Sequence, residues 1–216
     1  MQRINRIQAL ILLACLLLSL NGCAGPEDAT SPTAPDLGGL ICMEYSRYTG
    51  TFPEDGSGRQ VSNAAAILVR NSSSEYLDYA TVECDVGGQI GTFYITGLPP
   101  GGTVWVLEQS GMSINAGDSF AAIRCQEYYF RPDAVMRTDQ LSVKADGNSL
   151  TVTNVSDKTL ENVCVYYKTV HSDDNYFGGI TYMLVFGNLE PGASAQKQSA
   201  HFGANSKIVR YSFQEA

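Results

Sequence analysis

Apolar residues in this chain recur at every second position over short runs. Ile67 and Val69, then Ala80, Val82 and Cys84, then Phe93 and Ile95, then Val104 and Val106 mark one face of successive segments. That period predicts half-buried antiparallel strands, and no segment keeps helical period over three turns. Gly87-Gly88 and Pro99-Pro100-Gly101-Gly102 supply turns between them. Leu40 to Tyr48 reads as a first strand, followed by a turn-rich loop carrying Pro53, Gly56 and Gly58; a strand from about Ser119 to Phe130 closes this half. Beyond it, Leu141 and Val143, an Asp146-Gly147-Asn148 turn, and Leu150 and Val152 predict a hairpin. Val163, Val165 and Tyr167 form the next strand, and KTVHSDDNYFGGITY, residues 168–182, reads as a long loop. Leu184, Phe186 and Leu189, a polar strand near Gln196 and a closing strand from Ile208 to Phe213 complete the chain.

The two halves are copies of one unit. ILVRNSSSEYLDYATVEC, from Ile67, lies over LTVTNVSDKTLENVCVYY, from Leu150, so Val69 aligns with Val152, Asn71 with Asn154, Leu77 with Leu160 and Val82 with Val165. FYITGLPPG, from Phe93, then lies over LVFGNLEPG, from Leu184. Between the two blocks the second copy is longer: 17 positions separate Tyr167 from Leu184 against nine from Cys84 to Phe93, an excess of eight. Each copy is therefore a strand, an Asn/Ser turn, a strand, and a strand closed by L-x-P-G.

Six or seven short strands per copy predict an all-β, antiparallel sandwich, since a sheet that is apolar on one face must bury it against another. A strand ending in Asn-x-Ser with a later L-x-P-G turn resembles the immunoglobulin-like or fibronectin-III-like domains repeated in bacterial surface proteins. The resemblance implies two tandem sandwiches, at 40–130 and 141–216, joined by the short connector 131–140. The Cys…Trp…Cys pattern of antibody domains is absent.

The N-terminus changes the picture from fold to address. Arg3 and Arg6 precede an apolar run from Ala9 to Leu18, about ten residues and too short for a membrane span. Leu20-Asn21-Gly22-Cys23 follows and resembles a bacterial lipobox, which implies a signal peptide over 1–22, cleavage before Cys23, and diacylglycerol on its thiol. Two acyl chains give stable anchoring where one gives only marginal binding. The Pro-, Gly- and acid-rich stretch 24–39 then reads as a flexible tether. The expected location is the bacterial envelope, membrane-anchored and outside the cytoplasm.

Charge removes one class of partner. The whole chain has 14 Lys+Arg against 22 Asp+Glu, and 12 against 22 once Arg3 and Arg6 leave with the signal. Its basic residues are scattered singly, so no stripe exists for nucleic acid, and the lipid is the expected membrane contact. Apart from Cys15 and Cys23 there are four cysteines, Cys42, Cys84, Cys125 and Cys164. If first and last strands of a sandwich are neighbours, Cys42 and Cys125 are the expected disulfide, worth about 4–5 kcal/mol in the chain-entropy model; four unpaired thiols are the alternative. A catalytic thiol would need a histidine, yet His171 and His201 both fall in the second copy. The run His171-Ser172-Asp173-Asp174-Asn175 lacks calcium-loop spacing and reads as a solvated hairpin loop rather than a metal site. No Walker loop, G-x-S-x-G or CxxC pair occurs, so no catalytic residue, cofactor or metal is expected. Trp105, out of step with Val104 and Val106, and the Tyr176-Phe177 pair mark the candidate binding surface. The expected role is non-enzymatic binding or scaffolding of an envelope protein or glycan; a glycan-binding module and an accessory hydrolase or redox protein with an interdomain site are the alternatives.

Overall fold

The computed structural model describes residues 37–132, 134, 136–171 and 174–216, and the expected signal peptide, Cys23 and most of the expected tether lie outside them. The described residues contain no helix and twelve strands. The first copy supplies β1 (Leu40–Thr51), β2 (Gln60–Asn71), β3 (Tyr76–Val86), β4 (Gln89–Leu98), β5 (Thr103–Leu107) and β6 (Phe120–Arg131). The second supplies β7 (Leu141–Asp146), β8 (Ser149–Asn154), β9 (Leu160–Val170), β10 (Tyr176–Leu189), β11 (Ser194–Gln198) and β12 (Ser206–Glu215). The all-β, antiparallel character follows the period-two pattern closely, and the tight hairpins fall at the glycines. Gly87 and Gly88 both take positive φ between β3 and β4, and Gly147 does so between β7 and β8.

Strand for strand, the copies have the same connectivity. The first pairs β1-β2-β5 in one layer and β4-β3-β6 in the other; the second pairs β7-β8-β11 and β10-β9-β12. Ile67, Val69, Val82, Phe93, Ile95 and Val106 fill the first core, and Leu150, Val152, Val163, Val165 and Tyr167 the second. The layers are not closed separately, however. β5 and β10 pair, so that one six-stranded sheet, β1-β2-β5-β10-β9-β12, runs through both copies. This is the only parallel contact among the described strands, with Tyr176 opposite Val104 and Phe177 opposite Trp105. The described residues accordingly fall within one compact unit, where the sequence reading expects two sandwiches joined by a connector.

The cause is the eight-residue excess of the second copy. Residues 168–170 and 176–182 are strand rather than loop: β9 runs on to Val170 and β10 begins at Tyr176, so the insertion lengthens a hairpin until it reaches β5. At the other end, the expected tether, 24–39, overlaps the described residues only at 37–39. Leu37 is buried in the first core and its N–H donates to the Leu40 carbonyl, so residues ahead of β1 also contribute to the core. At the two outer edges of the large sheet, β1 and β12 each carry two register irregularities. Bulges of this kind make an edge a poor template for further strands.

The aligned asparagines hold corresponding arches. Asn71 and Asn154 are both fully buried. Each Nδ2 donates to the carbonyl four residues on, Glu75 or Lys158, and to the carbonyl of the L-x-P-G leucine, Leu98 or Leu189. Each Oδ1 accepts the N–H two residues on, from Ser73 or Ser156. An alanine at either site would leave one buried and two part-buried backbone groups without these partners, a loss of about 2–4 kcal/mol. Asn71→Ala and Asn154→Ala are each expected to lower unfolding stability by that amount in urea. Because one sheet spans both copies, each variant should still unfold in a single transition; two separated transitions would show that the copies fold independently.

Candidate ligand-binding site at the junction of the copies

The site is built by the start of β10. Phe177 stands opposite Trp105 on β5, and two glycines follow it. A Cβ on Gly178, at φ 86°, would lie 2.9 Å from Pro53 Cβ; one on Gly179 would lie 1.7 Å from the Tyr94 carbonyl oxygen. Only glycine lets β10 pass between the 52–59 loop and β4. Beyond Phe177 the ladder with β5 stops, and the backbone groups there need other partners.

Two ionisable side chains supply them. Glu54 accepts from Leu107 N on β5 at 2.8 Å and from Gly179 N on β10 at 2.7 Å. Lys168, fully buried on β9, donates through Nζ to the carbonyls of Thr96 at 2.9 Å, Gly179 at 3.0 Å and Ile180 at 2.8 Å. The Gly179 peptide is thus held at both ends, its N–H by a carboxyl from the first copy and its C=O by an amine from the second. Burial dominates both titrations. Desolvation lowers Lys168 to about 7 against the pull of Glu54. It raises Glu54 to about 7 against its backbone hydrogen bonds and the nearby lysine.

Over this junction, on the outer face of the large sheet, lies an open cavity of about 260 Å³. Trp105 and Phe177 form its floor, and Tyr48, Arg47, Ser46 and His171 stand around it. The Tyr48 and His171 rings lie 5.0 and 5.6 Å from that of Phe177. Phe52, Ala64, Ala66 and Leu107 make a small third core against which Tyr48, Trp105 and Phe177 pack, and Ala66 and Leu107 also line the cavity. The arrangement offers flat apolar faces beside a guanidinium, a hydroxyl and an imidazole. Such a surface stacks against a ring and hydrogen-bonds its rim.

Of the three residues expected to form a binding surface, two meet here. Tyr176, one position before Phe177, points the other way and packs against the first core, as strand alternation requires. Its assignment to the surface is therefore corrected. His171 joins the site, while Asp174 instead pairs with Lys207 at 3.0 Å. Among the described residues no cluster of His, Cys, Asp and Glu is arranged to hold a metal ion.

The cysteines are placed differently from the expectation. Cys42, Cys84, Cys125 and Cys164 are free thiols. β1 pairs with β2 and β6 pairs with β3 in the facing layer, so the first and last strands are not neighbours and the stated basis for a Cys42–Cys125 bridge is absent. Burial raises the Cys42 thiol, and burial likewise lifts Cys84 to about 11, which keeps both protonated and unreactive at neutral pH. Glu54 and Lys168 had no signal in the alternation of their strands and loops; the eight-residue excess was the one trace that led toward them. The chain matches no protein-family model and no curated protein.

Lys168→Met would deprive the Thr96, Gly179 and Ile180 carbonyls of the amine that donates to them, so it is expected to lose about 2–4 kcal/mol of stability by chemical denaturation. Glu54 gives the sign of a pH effect. Between pH 4.5 and 7 the folded chain keeps a proton on Glu54 that the unfolded chain has released, so its contribution to stability falls as pH rises through that window. Unfolding measured from pH 4.5 to 7 should show this downward slope reduced in Glu54→Gln; an unchanged slope would place the proton elsewhere.

Proposed function

We propose that this chain is a non-enzymatic binding protein of the bacterial cell envelope, built from tandem immunoglobulin-like repeats and carried on a lipidated Cys23. Its ligand docks on the Trp105–Phe177 floor. The observation that supports binding is the origin of that floor. Its two central rings come from different copies, and they are brought together by a parallel strand pair that the second copy had to lengthen to make. A hairpin extended only for stability would not need to end in an open aromatic cavity bordered by Arg47 and His171. The lipobox-like Leu20-Asn21-Gly22-Cys23 supports the address, and the acid-rich stretch behind it supplies a spacer between membrane and domain.

A glycan is the ligand class that the cavity favours. Sugar rings present apolar C–H faces to aromatic side chains and a hydroxyl rim to polar ones, and the floor and walls divide in the same way. A protein partner would place an aromatic or aliphatic anchor there instead.

Trp105 is the single tryptophan of the chain, so its emission reports on this site alone. Envelope oligosaccharides are expected to shift that emission saturably, and Phe177→Ala should weaken the effect about tenfold, the loss of roughly 1.4 kcal/mol of stacking. No shift with oligosaccharides, together with capture of an envelope protein that Phe177→Ala abolishes, would replace the glycan by a protein ligand. Metabolic labelling with a palmitate analogue tests the anchor: wild type should be labelled and sediment with membranes, and Cys23→Ser should be unlabelled and soluble.

A further inference from the structure

All five exposed tyrosines among the described residues, Tyr45, Tyr79, Tyr94, Tyr128 and Tyr129, lie in the first copy. Two of them mark the side on which that copy is open, where its layers end in β1 and β6. These edges are bridged by side chains rather than paired. The Tyr45 ring on β1 lies 4.7 Å from that of Phe120 on β6, and further along β6 the Tyr128 ring lies 5.6 Å from that of Phe130. Met43, the bulged residue of β1, is 54% exposed at the same edge.

The chain enters the fold at this seam. A Cβ on Gly38 would lie 2.6 Å from Tyr128 Cε1, and one on Gly39 would lie 3.2 Å from Phe130 Cζ, so residues 38 and 39 pass against the two rings on their way into β1. Cys23 stands 14 residues before Leu37, and even a fully extended segment of that length spans at most roughly 50 Å. A lipid on Cys23 therefore holds this side of the molecule near the bilayer.

Charge on the two strands is sorted by face. Glu44 on β1 stands opposite Leu68, in the alternate phase to Ile67 and Val69 of the first core. Glu127 on β6 accepts from the Tyr79 hydroxyl on the outer face of its layer, where Arg124 also pairs with Glu83. Arg47 is different: it stands opposite Ala65 of the first core, on the same side of β1 as Tyr45. In a chain of formal net charge −8, these edges thus offer the seam aromatic rings, a thioether and a cation, and turn their carboxylates away. Such a sorting fits lipid headgroups, whose phosphates attract cations and repel acids. Tyrosine, apolar in its ring and polar at its hydroxyl, matches the layer between acyl chains and water.

We propose that the seam between β1 and β6 seats the protein on a phospholipid bilayer, with Tyr128, Tyr45 and Met43 in the interfacial layer and Arg47 beside its phosphates. This rests on the lipid-anchored reading above and adds an orientation to it. The large sheet stands on its β1 edge with β12 about 24 Å further out, and the Trp105–Phe177 cavity opens to the side, clear of the membrane. The seam supplements the acyl chains and does not replace them, so a Cys23→Ser chain still leaves the membrane.

The test supplies its own anchor, so that it does not depend on the fate of Cys23. Residues 24–216 are held through an N-terminal hexahistidine tag on nickel-chelating lipid, in vesicles of equal parts phosphatidylethanolamine and phosphatidylglycerol, with and without lipid brominated near the headgroup. Brominated lipid should quench at least half of the emission that Tyr128→Trp adds and leave the Trp105 emission of the unsubstituted chain unchanged. If Tyr128→Trp does not fold, Met43→Trp, at an exposed position, serves as the reporter. With either reporter, Arg47→Glu should cut the quenching at least twofold. No quenching at the seam while the chain stays on the vesicles, equal quenching of Trp105, or quenching indifferent to Arg47→Glu would each overturn the proposal. Seam quenching in a protein whose Cys23 takes up no palmitate analogue would support the seam and remove the anchor.

Discussion

Where strands part company, their backbone groups must still be satisfied, and this constraint governs how the two copies of the chain are joined. β5 and β10 pair over two residues and then diverge, with β4 passing close beneath. Buried N–H and C=O groups in such a gap each cost on the order of a few kcal/mol if left without partners. Glu54 and Lys168 close the gap from opposite sides, one accepting from two strands and the other donating to two. The junction is therefore neither an apolar interface nor a surface salt bridge. It is a place where side-chain hydrogen bonds substitute for a missing ladder, and it works only because Gly179 lets the backbones approach.

The binding cavity is a by-product of the same join. Once β10 is drawn to β5, alternation sends Tyr176 into the first core and Phe177 to the outside, where it meets Trp105 and Tyr48. A second cleft, lined by Asp78 and Thr96 of the first copy and Tyr166 and Arg210 of the second, arises likewise from the second copy lying against β3 and β4 of the first. Both recesses are lined by residues from the two copies, so duplication alone would have produced neither. The extended hairpin is what turned a repeated scaffold into a molecule with recesses.

Most of the strands were legible from alternation. Val104 and Val106 inward with Trp105 outward, the Gly87-Gly88 hairpin, and the matched Asn71 and Asn154 arches all follow from side-chain pattern and turn chemistry. The merger of the sheets did not, because strand pairing is made by backbone groups that every residue carries. A strand meeting its own copy's neighbour and a strand meeting the other copy's edge write the same residues. Lys168 illustrates the limit further. It lies at a position whose alternation from Tyr167 points away from the core, where lysine ordinarily meets water, and it is buried only because β4 covers that face. Tyr176 failed as a surface residue for the converse reason: read in a loop it had no facing, and read in a strand it had one.

A sheet continuous across a duplication also abolishes the boundary between the duplicates. Severing the chain within 131–140 would leave β5 with a naked edge, β10 without its parallel neighbour, and an ammonium group facing solvent where Thr96 had been. Neither piece would be a miniature of the whole. The repeat is thus a record of ancestry and no longer a unit of dissection.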